Sequence, residues 1–329
     1  MAHAVTGQSY VITGGASLIG SHLADALLAA GAGEVRLLDN FALGTPDTIA
    51  HLEGEPRAKR IRGDILRLNE VIDACRGADG VFALAGFLTL PMSQNPPLGV
   101  DVNTTGVVNT LEAARIAGVR RVVFSSSVAA YGNTLAETLT EEAGTTMAGV
   151  SPIAAVYGTT KLLGEGLGLL YAQKHGVQFN ALRFSSVYGE RQHVRAVNAN
   201  FIAETYDRVR RGERPVIVGD GSEVHDYIHV ADVASGCLAA MAEGAGGQVM
   251  NLATGVDTTH AEVVRAVVDA CGATLEPEFR EDRRAVRSAG GAHLGFSRAK
   301  AEREIGWSPK IPFREGVRRY VTWRDAAGR

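Results

Sequence analysis

The fold is decided by the stretch Ser9–Gly20, SYVITGGASLIG. It begins with the run YVI, three β-forming residues without a charge, which is typical of a strand covered on both faces. Gly14 and Gly15 then permit a sharp reversal and a close backbone approach that a side chain would block. From Leu18 onward, apolar residues recur at helical spacing. The stretch therefore predicts a buried strand, a tight turn and the start of a helix.

A helix that begins directly after a buried strand points its unpaired N–H groups above the sheet, where they stabilise a phosphate. Gly14, Ser17 and Gly20 are spaced three apart, so the pattern is TGxxGxxG with serine at the middle glycine. This arrangement predicts a dinucleotide-binding βαβ unit, although a glycine turn alone is equally compatible with a plain strand–helix connection.

The second predicted strand, EVRLLDN, supports the dinucleotide interpretation because of how it ends. Its last strand residue, Asp39, follows the turn by about twenty residues. A carboxylate there binds both ribose hydroxyls of NAD and repels the additional phosphate of NADP. The alternative for Asp39 is a cap at the end of the strand.

The composition bounds the function. A chain of 329 residues suits one large or two coupled domains, and 46% hydrophobic with 21% charged residues is typical of a soluble globular protein. The net charge of −3 argues against a nucleic-acid or membrane-surface binder. Cys75, Cys237 and Cys271 lie far apart, which predicts buried free thiols and no metal site. The chain begins without a signal-peptide pattern and lacks a long apolar run, so we expect a cytoplasmic protein.

Strand-like and helix-like segments alternate up to about residue 183. Candidate strands are Tyr10–Thr13, Val35–Asp39, Arg60–Gly63, Gly80–Ala85, Arg121–Ser126 and Phe179–Phe184; candidate helices begin near Leu18, Asn69, Leu98 and Ala154. The alternation predicts an α/β fold: a doubly wound parallel Rossmann sheet with a smaller mixed α/β C-terminal substrate region. We expect residues 1–183 to bind NAD and residues 184–329 to bind substrate, with segments near 224–255 returning to the first domain.

Three residues could carry chemistry: Ser127 at the end of a strand, and Tyr157 and Lys161 further along the chain. Tyr157 and Lys161 are four apart, so they share one face of a helix. A phenol is a poor base at neutral pH, but a nearby ammonium and an oxidised nicotinamide ring favour its deprotonated form. Tyr157 could then take a proton from a substrate alcohol, with Ser127 bonded to the same oxygen. A tyrosine and a lysine four apart are, by themselves, also compatible with a surface contact.

With these elements in place, the chain resembles the NAD-dependent epimerase/dehydratase family, the extended short-chain dehydrogenase/reductases, over nearly its full length. The matching runs are TGGASLIGSHL, LLDN, GDI, FSSSVAAYG, YGTTK, LRFSSVYGERQ, GDGSEVHDYIHVADVA and GWSPKIPFREGVRR. Within the family the chain is most similar to nucleotide-sugar enzymes of the UDP-galactose 4-epimerase type. The resemblance implies NAD as cofactor and transient oxidation at C4 of a UDP-hexose or UDP-hexuronic acid.

The residues after Ser127 help to choose among the family's reactions. Sugar 4,6-dehydratases carry an Asp–Glu pair there, whereas this chain has Val128 and Ala129, which cannot transfer a proton. The pattern disfavours elimination and favours 4-epimerisation. Two alternatives stay open: an NAD-dependent sugar dehydrogenase or 4-keto-reductase, and a non-enzymatic Rossmann protein that senses NAD.

The resemblance also implies site residues. The cofactor contacts it implies are Gly14, Ser17, Leu18, Ile19, Gly20, Asp39, Asn40, Asp64, Ile65, Leu84, Ala85, Gly86, Asn103, Tyr157 and Lys161. Leu18 and Ile19 match backbone contacts at the pyrophosphate, and Asp64 and Ile65 match the adenine end. Asp64 could alternatively be a turn carboxylate.

The substrate contacts implied are Ser127, Tyr157, Ser186, Arg191, Asn200, His225 and Arg280, with Arg195, Arg283, Arg284 and Arg287 as further basic candidates. Two of them depart from the 4-epimerase pattern: Ser186 replaces an asparagine, and His225 replaces an arginine that grips the diphosphate. Histidine lacks the fixed charged fork of arginine, and His225 is as compatible with a structural role. A run of arginines is also typical of a solvated face.

The resemblance implies a homodimer as well. Family members pair through helices that here span roughly Pro97–Ala117 and Ala154–Lys174. Small residues in runs such as GEGLGLL permit close packing between helices, although burial within one chain explains them equally well.

Overall fold

The computed structural model describes residues 5–134, 136–192, 200–242, 244, 246–281 and 295–326. The strands are β1 (Ser9–Thr13), β2 (Glu34–Asp39), β3 (Ala58–Arg62), β4 (Gly80–Ala83), β5 (Arg121–Ser127), β6 (Gln178–Phe184), β7 (Ser186–Tyr188), β8 (Val216–Val218), β9 (Val224–His229), β10 (Gln248–Leu252), β11 (Asp257–Thr259) and β12 (Glu278–Arg280). The α-helices are α1 (Leu18–Ala29), α2 (Leu68–Cys75), α3 (Thr89–Gln94), α4 (Pro96–Ala117), α5 (Pro152–His175), α6 (Asn200–Arg210), α7 (Val230–Ala240), α8 (His260–Ala270), α9 (Ala299–Ile305) and α10 (Phe313–Ala326). Two 3₁₀ helices span Pro46–Leu52 and Val128–Tyr131.

Seven parallel strands form the central sheet, in the order β10-β6-β5-β4-β1-β2-β3. The strand order reverses between β1 and β4, and a crevice beyond the strand ends at such a reversal is where doubly wound sheets bind ligands. The predicted α/β fold with a doubly wound Rossmann sheet is confirmed. β10 comes from the C-terminal part of the chain, so the chain returns to the central sheet after leaving it at residue 184. The boundary between the two domains stays a prediction.

Both faces of the sheet are covered, which explains the strands without polar alternation. Tyr10 and Ile12 of β1 pack under α1 and α7, whereas Val11 between them packs with α2 and α4 on the other face. Every residue of β4 is buried. Burial on two faces rather than one is what makes these strands continuous apolar runs.

The C-terminal region contains two small sheets, β11-β9-β7 and β12-β8. β7 follows β6 after a single residue, and Ser186 pairs with Tyr227 of β9. A separate apolar cluster, which includes Tyr206, Val267 and Tyr320, holds α6, α8 and α10 together beneath these sheets. Substrate candidates from distant parts of the chain are thereby carried on one packed unit.

Several predicted boundaries are corrected. α4 and α5 begin at Pro96 and Pro152, about two residues before the predicted starts, because proline fits the first turn of a helix. β4 ends at Ala83, so Leu84–Gly86 lie in a loop.

The cysteine prediction is partly wrong. Cys75 and Cys237 are buried free thiols, but Cys271, at the end of α8, is only half-buried. No helix among the residues that the structure describes is long and apolar enough to cross a membrane.

Candidate active site

The glycine turn leaves room for nothing larger than hydrogen at its key positions. A Cβ on Gly20 would lie 2.3 Å from the Gly14 carbonyl oxygen, and one on Gly15 would lie 2.7 Å from Leu37. Gly14 has φ +71°, a conformation that favours glycine. Ser17, which replaces the middle glycine, is the N-cap of α1, and its Oγ accepts the Gly20 N–H at 3.1 Å. The serine therefore replaces a family glycine without disturbing the helix start.

Asp39 holds this turn closed. Its two carboxylate oxygens accept the backbone N–H groups of Ala16 (2.9 Å) and Phe41 (2.8 Å). Burial raises the pKa of Asp39, and the two hydrogen bonds act against the rise. A carboxylate oxygen has two acceptor sites, so both oxygens keep acceptor capacity for ribose hydroxyls.

The side chains predicted at the adenine end lie beside Asp39. Asn40 Nδ2 donates to Asp64 Oδ2 at 3.1 Å, and Asp64 Oδ1 accepts the Leu66 N–H at 2.9 Å. Asp64 is thus partly the turn carboxylate of the alternative interpretation. Ile65 is buried against Gly106 of α4, where a Cβ would lie 2.4 Å from the Ile65 side chain.

Across the crevice, the loop after β4 is fixed at both ends. Leu84 and Ala85 donate their N–H groups to Thr13 Oγ1, each at 3.2 Å. Asn103 on α4 accepts the Phe87 N–H at 2.7 Å and donates to the Phe87 carbonyl at 3.0 Å. The buried Asn103 amide therefore positions this loop.

These segments line one cavity at the carboxyl ends of β1, β2 and β4. The lining residues are Gly14, Ser17, Leu38, Asp39, Asn40, Ala42, Leu43, Gly44, Gly63, Asp64, Ile65, Leu84, Ala85, Gly86, Phe87 and Val102. The cleared glycine cradle, the start of α1 and the carboxylate of Asp39 are the features that a dinucleotide requires. The residues present therefore fit NAD.

Ser127, Tyr157 and Lys161 are brought together beside this cavity. Ser127 ends β5 and is half-buried, whereas Tyr157 and Lys161 are 4% and 7% exposed on α5. The Ser127 side chain lies close enough to the Tyr157 phenol to lower the pKa of that phenol. Lys161 Nζ donates to the Ser125 carbonyl at 2.8 Å and lies 5.6 Å from the centre of the Tyr157 ring. The sequence prediction that these residues form one group is matched by this geometry.

The electrostatics of the trio differ from the expectation. Burial raises the pKa of Tyr157 to about 12, although the neighbouring Ser127 side chain acts against the rise. Burial lowers the pKa of Lys161 to about 8, and the Glu165 carboxylate acts against that fall. Lys161 alone does not make the phenol acidic in this chain. A further positive charge at the phenol is needed for Tyr157 to act as a base near neutral pH.

A buried ion pair behind the trio was missed by sequence reasoning. Arg183 of β6 makes two 2.8 Å hydrogen bonds to Glu165, and Ser126 Oγ donates to the same carboxylate at 2.5 Å. The Arg183 guanidinium also lies 4.5 Å from the Tyr131 ring. Glu165 follows Lys161 by four residues, just as Lys161 follows Tyr157. This four-residue repeat is the sequence signal that could have indicated Glu165.

The predicted substrate residues divide into two groups. Ser186 pairs with β9, which carries His225, and Phe201 beside Asn200 packs its ring on His260, 4.3 Å between centres. The His260 ring in turn stacks on His225 at 5.2 Å. Asn200 Oδ1 is buried and has no hydrogen-bond partner within the described ranges.

The arginines lie apart from this group. Arg191 (φ +65°) bonds to Asp25 of α1 at 2.7 Å, and Arg280 is an exposed residue paired with Glu278 at 2.7 Å. The structure thus turns both guanidinium groups toward carboxylates. Arg195, Arg283, Arg284 and Arg287 lie outside the described residues.

Comparisons with known proteins agree with this geometry. The family model described as "NAD dependent epimerase/dehydratase family" matches residues 10–253. The UDP-glucose 4-epimerase of Mycolicibacterium smegmatis is 32% identical over 94% of this chain and 96% of its own length. The structure of UDP-glucose 4-epimerase from Thermus thermophilus, solved in complex with NAD, is 30% identical, with a TM-score of 0.82 over 97% of this chain and 99% of that one.

Relatives with other reactions also match. UDP-glucuronic acid decarboxylase 1 of Arabidopsis thaliana is 31% identical over 95% of this chain and 68% of its own. The dTDP-glucose 4,6-dehydratase of Streptomyces griseus is 29% identical over 95% of this chain and 93% of its own. The family match and the relatives' names support an NAD-dependent enzyme of the epimerase or dehydratase kind. With its fold, its dinucleotide cavity and its serine, tyrosine and lysine in place, the chain belongs to the NAD-dependent epimerase/dehydratase family.

Proposed function

We propose that the protein is an NAD-dependent nucleotide-sugar 4-epimerase that oxidises a UDP-hexose or UDP-hexuronic acid transiently at C4. The observation that carries the proposal is the Ser127–Tyr157 pair at the end of β5, followed directly by Val128 and Ala129. These two half-buried apolar side chains begin the 3₁₀ helix where an eliminating enzyme needs a proton-transfer group. Redox chemistry at a ring alcohol needs no such group.

The roles of the side chains follow from their placement. Bound NAD supplies the acceptor and donor of hydride at the substrate carbon. Tyr157 in its deprotonated form takes the proton of the C4 hydroxyl and later returns it, and Ser127 holds the same oxygen by a hydrogen bond. Because burial raises the pKa of Tyr157 to about 12, proton removal depends on positive charge held nearby. Lys161 contributes such charge at pH values below its pKa of about 8.

The same proposal assigns the cofactor contacts. The N–H groups of Leu18 and Ile19, at the open start of α1, bind the pyrophosphate. Asp39 accepts hydrogen bonds from the ribose, and Asp64 lies at the adenine end. Lys161 Nζ would lie 3.5 Å from a Cβ on Gly86, so the ammonium and the backbone of that loop would hold the nicotinamide end of the cofactor.

The test is product analysis by NMR. Purified protein with NAD is incubated separately with UDP-, GDP- and dTDP-sugars and with UDP-glucuronic acid, and the sugar products are identified. We expect interconversion of one pair of C4 epimers; a 4-keto-6-deoxy sugar or a UDP-pentose would instead assign a dehydratase or a decarboxylase. Tyr157→Phe should lower kcat by about 10²–10⁴-fold, the usual contribution of acid–base catalysis. Tyr171→Phe on the same helix is the matched control, because the Tyr171 hydroxyl bonds to Glu112 instead.

A net dehydrogenase or 4-keto-reductase is the second candidate. The observation that favours it is the pairing of Arg191 with Asp25 and of Arg280 with Glu278, which removes two expected diphosphate contacts. A substrate without a diphosphate would need neither arginine. Stoichiometric production or consumption of NADH identifies this reaction, since an epimerase leaves the cofactor unchanged.

We also propose that the protein is a homodimer through α4 and α5. Large apolar side chains are exposed along these two helices: Leu98, Val100, Val108, Ile116, Val156, Leu163, Leu169 and Leu170. Exposed apolar side chains on two neighbouring helices are typical of an association surface, and we propose a second copy of the same helices as its occupant. Leu163 is 46% exposed, so Leu163→Asp should yield monomers in light scattering without loss of folding. Monomers of the unaltered protein at micromolar concentration would refute the dimer.

A further inference from the structure

Three metal-ligating side chains converge on the C-terminal region. One ligand atom from each of Glu223, His225 and His260 lies within 4.8 Å of the other two, and all three residues are half-buried. Within the described ranges, this is the one group of histidine, cysteine and carboxylate side chains with that spacing. Their separation along the chain explains why no metal-ligand pattern is visible in the sequence.

The backbone holds these residues together. His225 of β9 pairs with Thr258 of β11, two residues before His260. The His260 N–H donates to the Glu223 carbonyl at 3.0 Å. Thr259, which lies between Thr258 and His260, is the N-cap of α8. Its Oγ1 accepts the Glu262 N–H at 3.1 Å, which fixes where that helix begins. Strand pairing therefore fixes the backbone at His225, and helix capping fixes the backbone at His260.

The donor set and the distances suit Zn²⁺. Imidazole nitrogen and carboxylate oxygen bind zinc at about 2.0–2.2 Å, which puts neighbouring ligands of a tetrahedral site about 3.3 Å apart. His225 Nε2 and Glu223 Oε1 are already 3.2 Å apart. The His225 and His260 rings are stacked at 15° with centres 5.2 Å apart, so one ion lies in both ring planes only after the His260 ring rotates. Its ligand atom also has to move inward by at most about 1.5 Å, from within 4.8 Å to about 3.3 Å.

We propose that Glu223, His225 and His260 form a Zn²⁺ site with three protein ligands. Three ligands leave a fourth position for water or a substrate oxygen, which is the arrangement of zinc sites that take part in reactions. The ring contacts of His260 with Phe201 and of His225 with Tyr227 cover the site on two sides.

The charge of Glu223 indicates what the fourth position takes. A carboxylate 3.2 Å from His225 would repel a phosphate placed directly on that histidine. A bound divalent cation reverses this repulsion, because it neutralises the charge of the Glu223 carboxylate and attracts a phosphate oxygen. We therefore assign the fourth position to the diphosphate of the substrate. This second step rests on the proposed nucleotide-sugar function, whereas the metal site itself does not.

The metal site is tested by Zn²⁺ binding in competition with a chromogenic chelator, using the full chain after chelator treatment. We expect one Zn²⁺ per chain, with the affinity lowered at least about tenfold in His225→Ala and in His260→Ala. His175→Ala is the matched control, because His175 ends α5 and lies outside the group. Unchanged NAD binding would confirm that both variants are folded, since neither histidine lines the NAD cavity. Zn²⁺ binding that is absent, or equal in all four proteins, would overturn the site.

The diphosphate step is tested with UDP on zinc-loaded and on metal-free protein. We expect UDP to bind at least about tenfold more tightly to the zinc-loaded form, and His225→Ala to abolish that difference. Equal UDP affinity of the two forms would overturn the diphosphate step and leave the metal site in place. Tight zinc and UDP binding without any sugar conversion would instead overturn the proposed function.

Discussion

Replacing Glu165 by glutamine removes one charge from the buried pair behind Lys161 while keeping the shape of the side chain. Glu165 and Arg183 have side chains that are 6% and 7% exposed, joined by two 2.8 Å hydrogen bonds. In the Glu165→Gln variant, Arg183 stays buried without its counter-charge. We expect this substitution to be strongly destabilising.

The magnitude follows from the geometry. Breaking a buried, hydrogen-bonded pair by removing one partner costs about 3–5 kcal/mol, compared with about 5–15 kcal/mol for the whole stability of a typical domain. Replacing both partners by apolar residues is often neutral. Glu165→Leu combined with Arg183→Met should therefore recover most of the loss. Recovery distinguishes the stranded charge from a simple loss of packing.

The variant should also change the pH dependence of stability. Because burial lowers the pKa of folded Lys161 from 10.5 to about 8, the unfolded chain binds more protons between these two values. The contribution of Lys161 to stability therefore rises with pH across that window. Glu165 raises the Lys161 pKa, so Glu165→Gln lowers it and moves the start of the rise below about pH 8.

Denaturant unfolding, followed at several pH values across this window, measures both effects. The control is Glu278→Gln, which removes a carboxylate from an exposed pair with Arg280 and should leave stability unchanged. A loss of less than about 1 kcal/mol in Glu165→Gln, as for an exposed pair, would refute the reasoning. So would a double variant that is as unstable as the single one.

Two further changes test the turn and the contact between the two halves of the chain. Gly20→Ala puts a Cβ 2.3 Å from a backbone oxygen of the turn, so we expect the free energy of unfolding to fall by about 1–3 kcal/mol. We also expect weaker NAD binding in thermal-shift assays. Gly144 has open space around it, so Gly144→Ala should change neither quantity. Burial raises the pKa of Glu190, but the Nε2 atoms of His22 and His229, at 3.7 Å and 3.2 Å from its carboxylate, outweigh burial and hold that pKa well below its usual range. The resulting stability is present above about pH 4.5 and is lost as the pH falls toward the lowered value. Glu190→Gln should therefore show a flatter acid limb in unfolding; an identical limb would mean that this carboxylate contributes nothing.

The sheet and its cavity could be predicted from the sequence because their causes are local. An apolar run such as YVI requires cover on both faces, and the tight clearance at Gly20 arises within the same twelve-residue stretch. The pair Tyr157 and Lys161 needs only one turn of helix to meet. Helix starts were misplaced where proline extended a helix by one half-turn, as at Pro96 and Pro152.

The Glu165–Arg183 pair could not be predicted in the same way. Its partners lie 18 residues apart on a helix and a strand, and the pairing depends on how α5 crosses the sheet. The same holds for the half-buried His225 and His260, which meet only because β9 and β11 are paired. Residue spacing places Glu165 on the helix face of Lys161, but it does not identify the residue of another element that Glu165 contacts.

This difference has a chemical consequence. The residues proposed to bind NAD and to transfer the proton lie on the glycine turn and on the helix with Tyr157 and Lys161. These local motifs form wherever their sequence pattern occurs, so they identify a reaction type. The groups proposed to bind the substrate are single side chains on β7, β9, α6 and α8, brought together by tertiary packing alone. One substitution, such as histidine for arginine at position 225, can change what those elements bind without altering the sheet. We therefore propose that substrate choice in this chain depends on residues near His225 rather than on the motifs that place it in its family.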